Sequence, residues 1–152
     1  MQSSFLLKNY LNLIKGSLGA KLFRHYWMEV DGRAKDVLEN GQLSCAVFVS
    51  SVLKLSGLIN EPHATVISTV KDLESSGWVK IVEAKPGAVL VWEKIKMGLQ
   101  FHGHLGFYIG AKKAVSNSDK KRFPAVHHWT YGTKNGKPVR KIEAIYWHPR
   151  LD

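Results

Sequence analysis

Apolar residues Phe5, Leu6, Tyr10, Leu11, Leu13 and Ile14 recur at three- and four-residue spacing. That period predicts a helix within residues 1–27, closed by Gly16 and Gly19. Residues 28–41 are mixed, with Asp31-Gly32 and Asn40-Gly41 as turn signals. Ser44 then offers an N-cap to the run Cys45-Ala46-Val47-Phe48-Val49-Ser50-Ser51-Val52-Leu53-Lys54-Leu55, which stops near Gly57. This second helix is apolar on almost every face, so it is expected to be central and buried. A third helix is expected from Thr65 to Ser75 or Ser76, ended by Gly77. The second half alternates in the manner of strands, at 78–82, 88–92, 103–109, 113–117, 126–131 and 139–147. Helices first and an antiparallel sheet afterwards define an α+β layout in one domain spanning residues 1–152.

Composition narrows the class without naming a function. The chain has 152 residues, 45% hydrophobic and 22% charged, enough to build a core. Its apolar runs are too short to cross a bilayer. The N-terminus lacks the basic and long apolar regions of a secretory signal, which favours a cytoplasmic location unless another export route acts. A net charge of +10 suits an anionic surface such as nucleic acid, acidic lipid or cell wall. The lysine clusters at 112–122 and 134–141 do not have the spacing of a nucleic-acid module, so nucleic acid is disfavoured as a partner. With one cysteine, neither an internal disulfide nor a Cys-rich zinc site is available.

That cysteine carries the candidate chemistry. Cys45 opens an apolar helix, where free N–H groups and the helix dipole favour an anion and would lower a thiol pKa. The same N–H groups suit an oxyanion. On local context alone two readings stand: a nucleophile, or a small residue packed against the sheet. His104 tips the balance. It lies in the strand Gly103-His104-Leu105-Gly106, whose small neighbours leave the imidazole approachable. An imidazole there would take the thiol proton and return it to a leaving amine. His102 with His104, and the His127-His128 pair, raise the question of a metal. No carboxylate lies near them in sequence, and no metal or cofactor is expected.

Three segments, in order, resemble the NlpC-type cell-wall peptidases and the related CHAP-type amidases of the papain-like group. Ser44-Cys45-Ala46-Val47-Phe48-Val49 is similar to that family's Cys-Ser-Gly-Phe-Val helix start. Lys85-Pro86-Gly87-Ala88-Val89-Leu90-Val91-Trp92 is similar to its Pro-Gly-Asp-Leu-Val-Phe-Phe strand. His104-Leu105-Gly106-Phe107-Tyr108-Ile109-Gly110 is similar to its His-Val-Gly-Ile-Tyr-Ile-Gly strand. The resemblance covers residues 40–118. It departs at Ser44, where the family has Asp, at Ala46 and Val47, and at Ala88 in place of an acidic residue.

The resemblance implies a papain-like core, with N-terminal helices packed on an antiparallel sheet. It implies a thiol hydrolase cleaving an amide bond, with a cell-wall peptide among the open substrates. A non-enzymatic or inactive member of the fold that binds an anionic polymer is the alternative. It also implies a third polar residue that orients His104 from the following strand. If Ala111-Lys112 is a two-residue hairpin loop, Gly110 pairs with Lys113 and Gly106 with Asn117, so Asn117 shares a face with His104. A flipped parity would present Ser116 instead. The expected catalytic set is therefore Cys45, His104 and Asn117, with Ser116 as the alternative third member.

Overall fold

Five residues of one helix anchor the core: Ala46, Phe48, Val49, Val52 and Leu53 are all buried. In a computed structural model that describes residues 3–152, they belong to α2, Cys45–Leu55. Helix α1, Ser3–Gly16, packs on α2, and so does α3, Val66–Ser75. The expected first helix is thus shorter than residues 1–27, and residues 1 and 2 lie outside the described residues. After Gly16 the chain makes a single 3-10 turn at Lys21–Phe23. It then forms a hairpin, β1 Trp27–Val30 and β2 Arg33–Asp36, that stands apart from the main sheet. Asp31-Gly32 forms the expected turn, and the strands on either side of it are not announced by the sequence pattern.

The remaining strands are β3 Val79–Lys80, β4 Val89–Met97, β5 Gln100–Gly110, β6 Lys113–Asn117, β7 Pro124–His128, β8 Thr133–Lys134, β9 Lys137–Pro138 and β10 Ile142–Trp147. Six of them form an antiparallel sheet in the order β3-β10-β4-β5-β6-β7, while β8 and β9 make a separate two-stranded ribbon. The α+β class is as expected. Strands β4 and β5 run longer than the alternation suggested, because residues 93–97 and 100–102 extend the hairpin up to a Gly98-Leu99 turn.

Helix α2 lies against β5 and β6. Phe107 of β5 meets the Phe48 ring edge-on at 5.4 Å and the Tyr10 ring at 5.8 Å, locking α1, α2 and the sheet into one core. The buried Tyr10 hydroxyl donates to the Gly87 carbonyl at 2.8 Å and ties α1 to the turn before β4. Helix α3 is capped by Thr65, whose side chain accepts from the Ser68 N–H at 3.1 Å. Among the described residues, no helix is long and apolar enough to cross a membrane.

Candidate active site

Cys45 occupies the first position of α2, where the sequence places it, but the Ser44 side chain before it makes no capping hydrogen bond. The first helical bond runs from the Phe48 N–H to the Ser44 carbonyl, 2.9 Å, so the N–H groups of Cys45, Ala46 and Val47 precede it. The chain reaches this position under tight control. Asp36 accepts from the N–H groups of Tyr26, Leu38 and Asn40 and from His25, which fixes the loop between β2 and α2 and holds the Asp36 carboxyl well below its ordinary range. Gly41 then passes so close to Arg122 that a Cβ would lie 2.8 Å from its carbonyl oxygen. Its φ of 86° also calls for glycine.

The thiol is half-buried, and burial raises its pKa. The N–H groups of Leu105, Ala46 and Cys45 itself, together with the Arg140 charge, pull the other way and do not overcome that effect. The expected low-pKa thiolate is therefore corrected: the helix terminus is present, but the loss of water around the sulfur outweighs it. His104 behaves consistently with this. Burial pushes its pKa down to about 3, helped by the nearby charges of Arg140 and His127. The resting pair is a neutral thiol and a neutral imidazole.

His104 sits on β5 opposite Trp92 of β4. The Leu105 N–H next to it faces the Cys45 sulfur, and Cys45 and His104 line one cleft of about 960 Å³. The Nε2 atom of His104 contacts the Ser116 hydroxyl at 3.0 Å. Asn117 plays a different part. Its amide nitrogen donates to the Gly41 carbonyl at 2.8 Å, and its buried carbonyl oxygen has no hydrogen-bond partner. Asn117 thus steadies the loop that delivers Cys45 and does not orient His104.

The cause of this correction is one residue of register. The two-residue loop is present, with Ala111 and Lys112 both at positive φ and Gly110 paired with Lys113. Tyr108, however, pairs with Ala114, which leaves Ile109 as a bulge. The bulge reverses the parity, so Phe107 faces Val115 and Ser116 stands across from Gly106. Glycine is required there. A Cβ on Gly106 would lie 2.7 Å from the Val115 carbonyl oxygen and 2.8 Å from both the Ser116 Cβ and the Trp92 ring.

Four further residues complete the site. The Ser116 hydroxyl also contacts His127 Nε2 at 2.7 Å and the Tyr131 hydroxyl at 3.2 Å. The His127 and Tyr131 rings stack with centroids 4.1 Å apart. Trp92, fully buried, backs His104, His127 and Tyr131 at 5.2, 5.6 and 5.7 Å, and its indole N–H is held by the Trp129 carbonyl. Arg140 lines the cleft while its guanidinium donates to the carbonyls of Glu93 and His102. The sequence signal for His127 was visible in the His127-His128 pair but pointed towards a metal. His128 instead turns its Nδ1 to the N–H groups of Thr130 and Gly132. Among the described residues, no three His, Cys, Asp or Glu side chains gather as a metal site.

The cleft walls are mostly apolar, with Met28 of β1, Ile67 of α3, Phe101 and Val139 among the exposed side chains around it, and Lys94 and Lys121 at its edge. The arrangement brings a thiol, a neutral imidazole, helix N-terminal N–H groups and a cation to one open surface. No protein-family model matches this chain, and no curated protein matches it.

Proposed function

We propose that this protein is a thiol hydrolase with a papain-like, NlpC-type core that cleaves an amide bond. The observation that carries the proposal is the shared cleft: Cys45 lines it from the start of α2, and His104 lines it from β5 with its Nε2 engaged by Ser116. Because both groups rest neutral, His104 acts as a general base. It removes the Cys45 proton as sulfur attacks the substrate carbonyl. The oxyanion forms beside the N–H groups of Cys45 and Ala46. The imidazolium then gives its proton to the leaving amine, and a thioester to Cys45 remains. Water, deprotonated by His104, attacks the thioester and releases the acid and the thiol. Arg140 favours the thiolate side of the first transfer and opposes the imidazolium side.

The apolar cleft walls suit a non-polar face on the acyl portion, and Lys94 and Lys121 suit a carboxylate on the substrate. A cell-wall peptide fits that description. The alternative, a non-enzymatic binder of an anionic polymer, draws support from the net charge of +10. A panel of peptide amides, including cell-wall stem peptides, separates the two readings. Turnover abolished by Cys45→Ala and by His104→Ala supports the hydrolase. An inert panel, with heparin or polyphosphate retained equally by wild type and Cys45→Ala, selects the binder.

A further inference from the structure

The contacts around Ser116 decide where each proton sits. The His127 Nδ1 atom lies 2.7 Å from the His128 carbonyl oxygen, which only accepts, so Nδ1 carries the hydrogen. Burial against the sheet and the stacked Tyr131 ring favours the neutral imidazole. A neutral ring with Nδ1–H has a bare Nε2. That atom lies 2.7 Å from the Ser116 oxygen and must accept its single proton. The serine oxygen then has only lone pairs to offer elsewhere. Tyr131 at 3.2 Å and His104 Nε2 at 3.0 Å must both donate to it. With Nε2 protonated, a neutral His104 is left with a bare Nδ1.

We infer that His127 is a positioning residue for the proposed hydrolase: acting through the Ser116 hydroxyl, it fixes His104 as the Nε2–H tautomer and leaves Nδ1 as the base for Cys45. The orienting group on His104 is thus a hydroxyl whose own polarity is set by a second imidazole. Without His127, the Ser116 proton is free to turn towards His104 Nε2. That stabilises the opposite tautomer, whose Nδ1 already holds a hydrogen and takes no proton from the thiol. The sequence offers Ser116 as the alternative orienting residue but gives no sign of His127 behind it, because the diagonal contact from β6 to β7 depends on register: Ser116 pairs with Ala125, and His127 lies two residues further along the same face.

The inference rests on the hydrolase reading for its consequence but not for its test. Two-bond proton–nitrogen NMR spectra of the imidazoles, at neutral pH, report tautomers without any turnover. In the wild type, His127 is expected as Nδ1–H and His104 as Nε2–H. A wild-type His104 found as Nδ1–H, or a His127 found as Nε2–H or protonated, overturns the inference whatever the variants do. In His127→Ala, His104 is expected to shift to a mixture containing Nδ1–H. Against any substrate that the wild type turns over, kcat should drop at least about tenfold while KM stays within about twofold. His127→Gln, whose amide oxygen again accepts from Ser116, should restore both readouts. A His104 tautomer unchanged in His127→Ala overturns the inference. Correct tautomers in a wild type that turns over nothing would count against the hydrolase reading and leave this one standing.

Discussion

Replacing Ser116 with alanine removes one oxygen and deprives three groups of a partner: His104 Nε2–H, His127 Nε2 and the Tyr131 hydroxyl. Tyr131 is 37% exposed and recovers a hydrogen bond from water. The two imidazoles are less accessible, and a newly unpartnered buried polar group costs about 1–3 kcal/mol. The cleft admits water, so the low end applies, and the folded state should lose about 1–2 kcal/mol in total. The kinetic effect is separate. In the proposed proton transfer His104 becomes a cation whose Nε2–H needs the Ser116 oxygen. A hydrogen bond to a charged group is worth about 1.5–3 kcal/mol. At 1.36 kcal/mol per tenfold in rate, Ser116→Ala should lower kcat by about 10- to 150-fold. Asn117→Ala removes a neutral bond to the Gly41 carbonyl and should cost about 1 kcal/mol of stability, with kcat reduced by less than about fivefold. The assay is kcat at saturating substrate for both variants, with urea unfolding to separate stability from rate. A crippled Asn117→Ala beside an unaffected Ser116→Ala would refute the register argument and restore Asn117 as the orienting residue.

Three further outcomes are expected. Because the folded state holds His104 unprotonated down to about pH 3, while an unfolded histidine binds a proton below about pH 6.5, stability should fall as pH drops through that interval; His104→Gln should flatten the fall, and an unchanged slope of Tm against pH would count against it. Burial of the Cys45 thiol should make its alkylation by iodoacetamide slower than that of free cysteine at pH 6 and still rising above pH 9, whereas a plateau in the acid range would reveal a preformed thiolate. Gly106→Ala forces the Val115 backbone, Ser116 and Trp92 to shift; it should cost about 1–3 kcal/mol and impair kcat, and a variant as active and stable as the wild type would show that the close approach is not needed.

Local chemistry was legible in the sequence, and longer-range geometry was not. The apolar run after Ser44 gives α2 to the residue, although the Ser44 hydroxyl makes no capping bond, and Thr65 with Gly77 brackets α3 through a cap that does form. Those signals live within a few residues of the element they define. The orienting residue depends instead on strand parity, and the bulge at Ile109 has no mark in Tyr108-Ile109-Gly110 that alternation can read. The thiol pKa failed for a related reason. A helix start is visible in sequence, but the burial that opposes it depends on how the whole chain packs around Cys45 and leaves no local mark. Arg140 itself lies near the end of the chain and looked like one member of a basic cluster. The hairpin of β1 and β2 was missed despite its Asp31-Gly32 turn, because Trp27–Val30 and Arg33–Asp36 are exposed and show no buried face.

In the proposed reaction Cys45 forms a covalent bond with the acyl group while His104 moves the proton. Rapid quenching of the wild-type protein with an activated ester or amide, followed by intact-mass and peptide-mass analysis, tests it most directly. The expected result is an acyl adduct on Cys45 that forms and decays at the rate of turnover, and that forms far more slowly in His104→Ala. Turnover that persists in Cys45→Ala, or that proceeds with no adduct on Cys45 at any quench time, would contradict it.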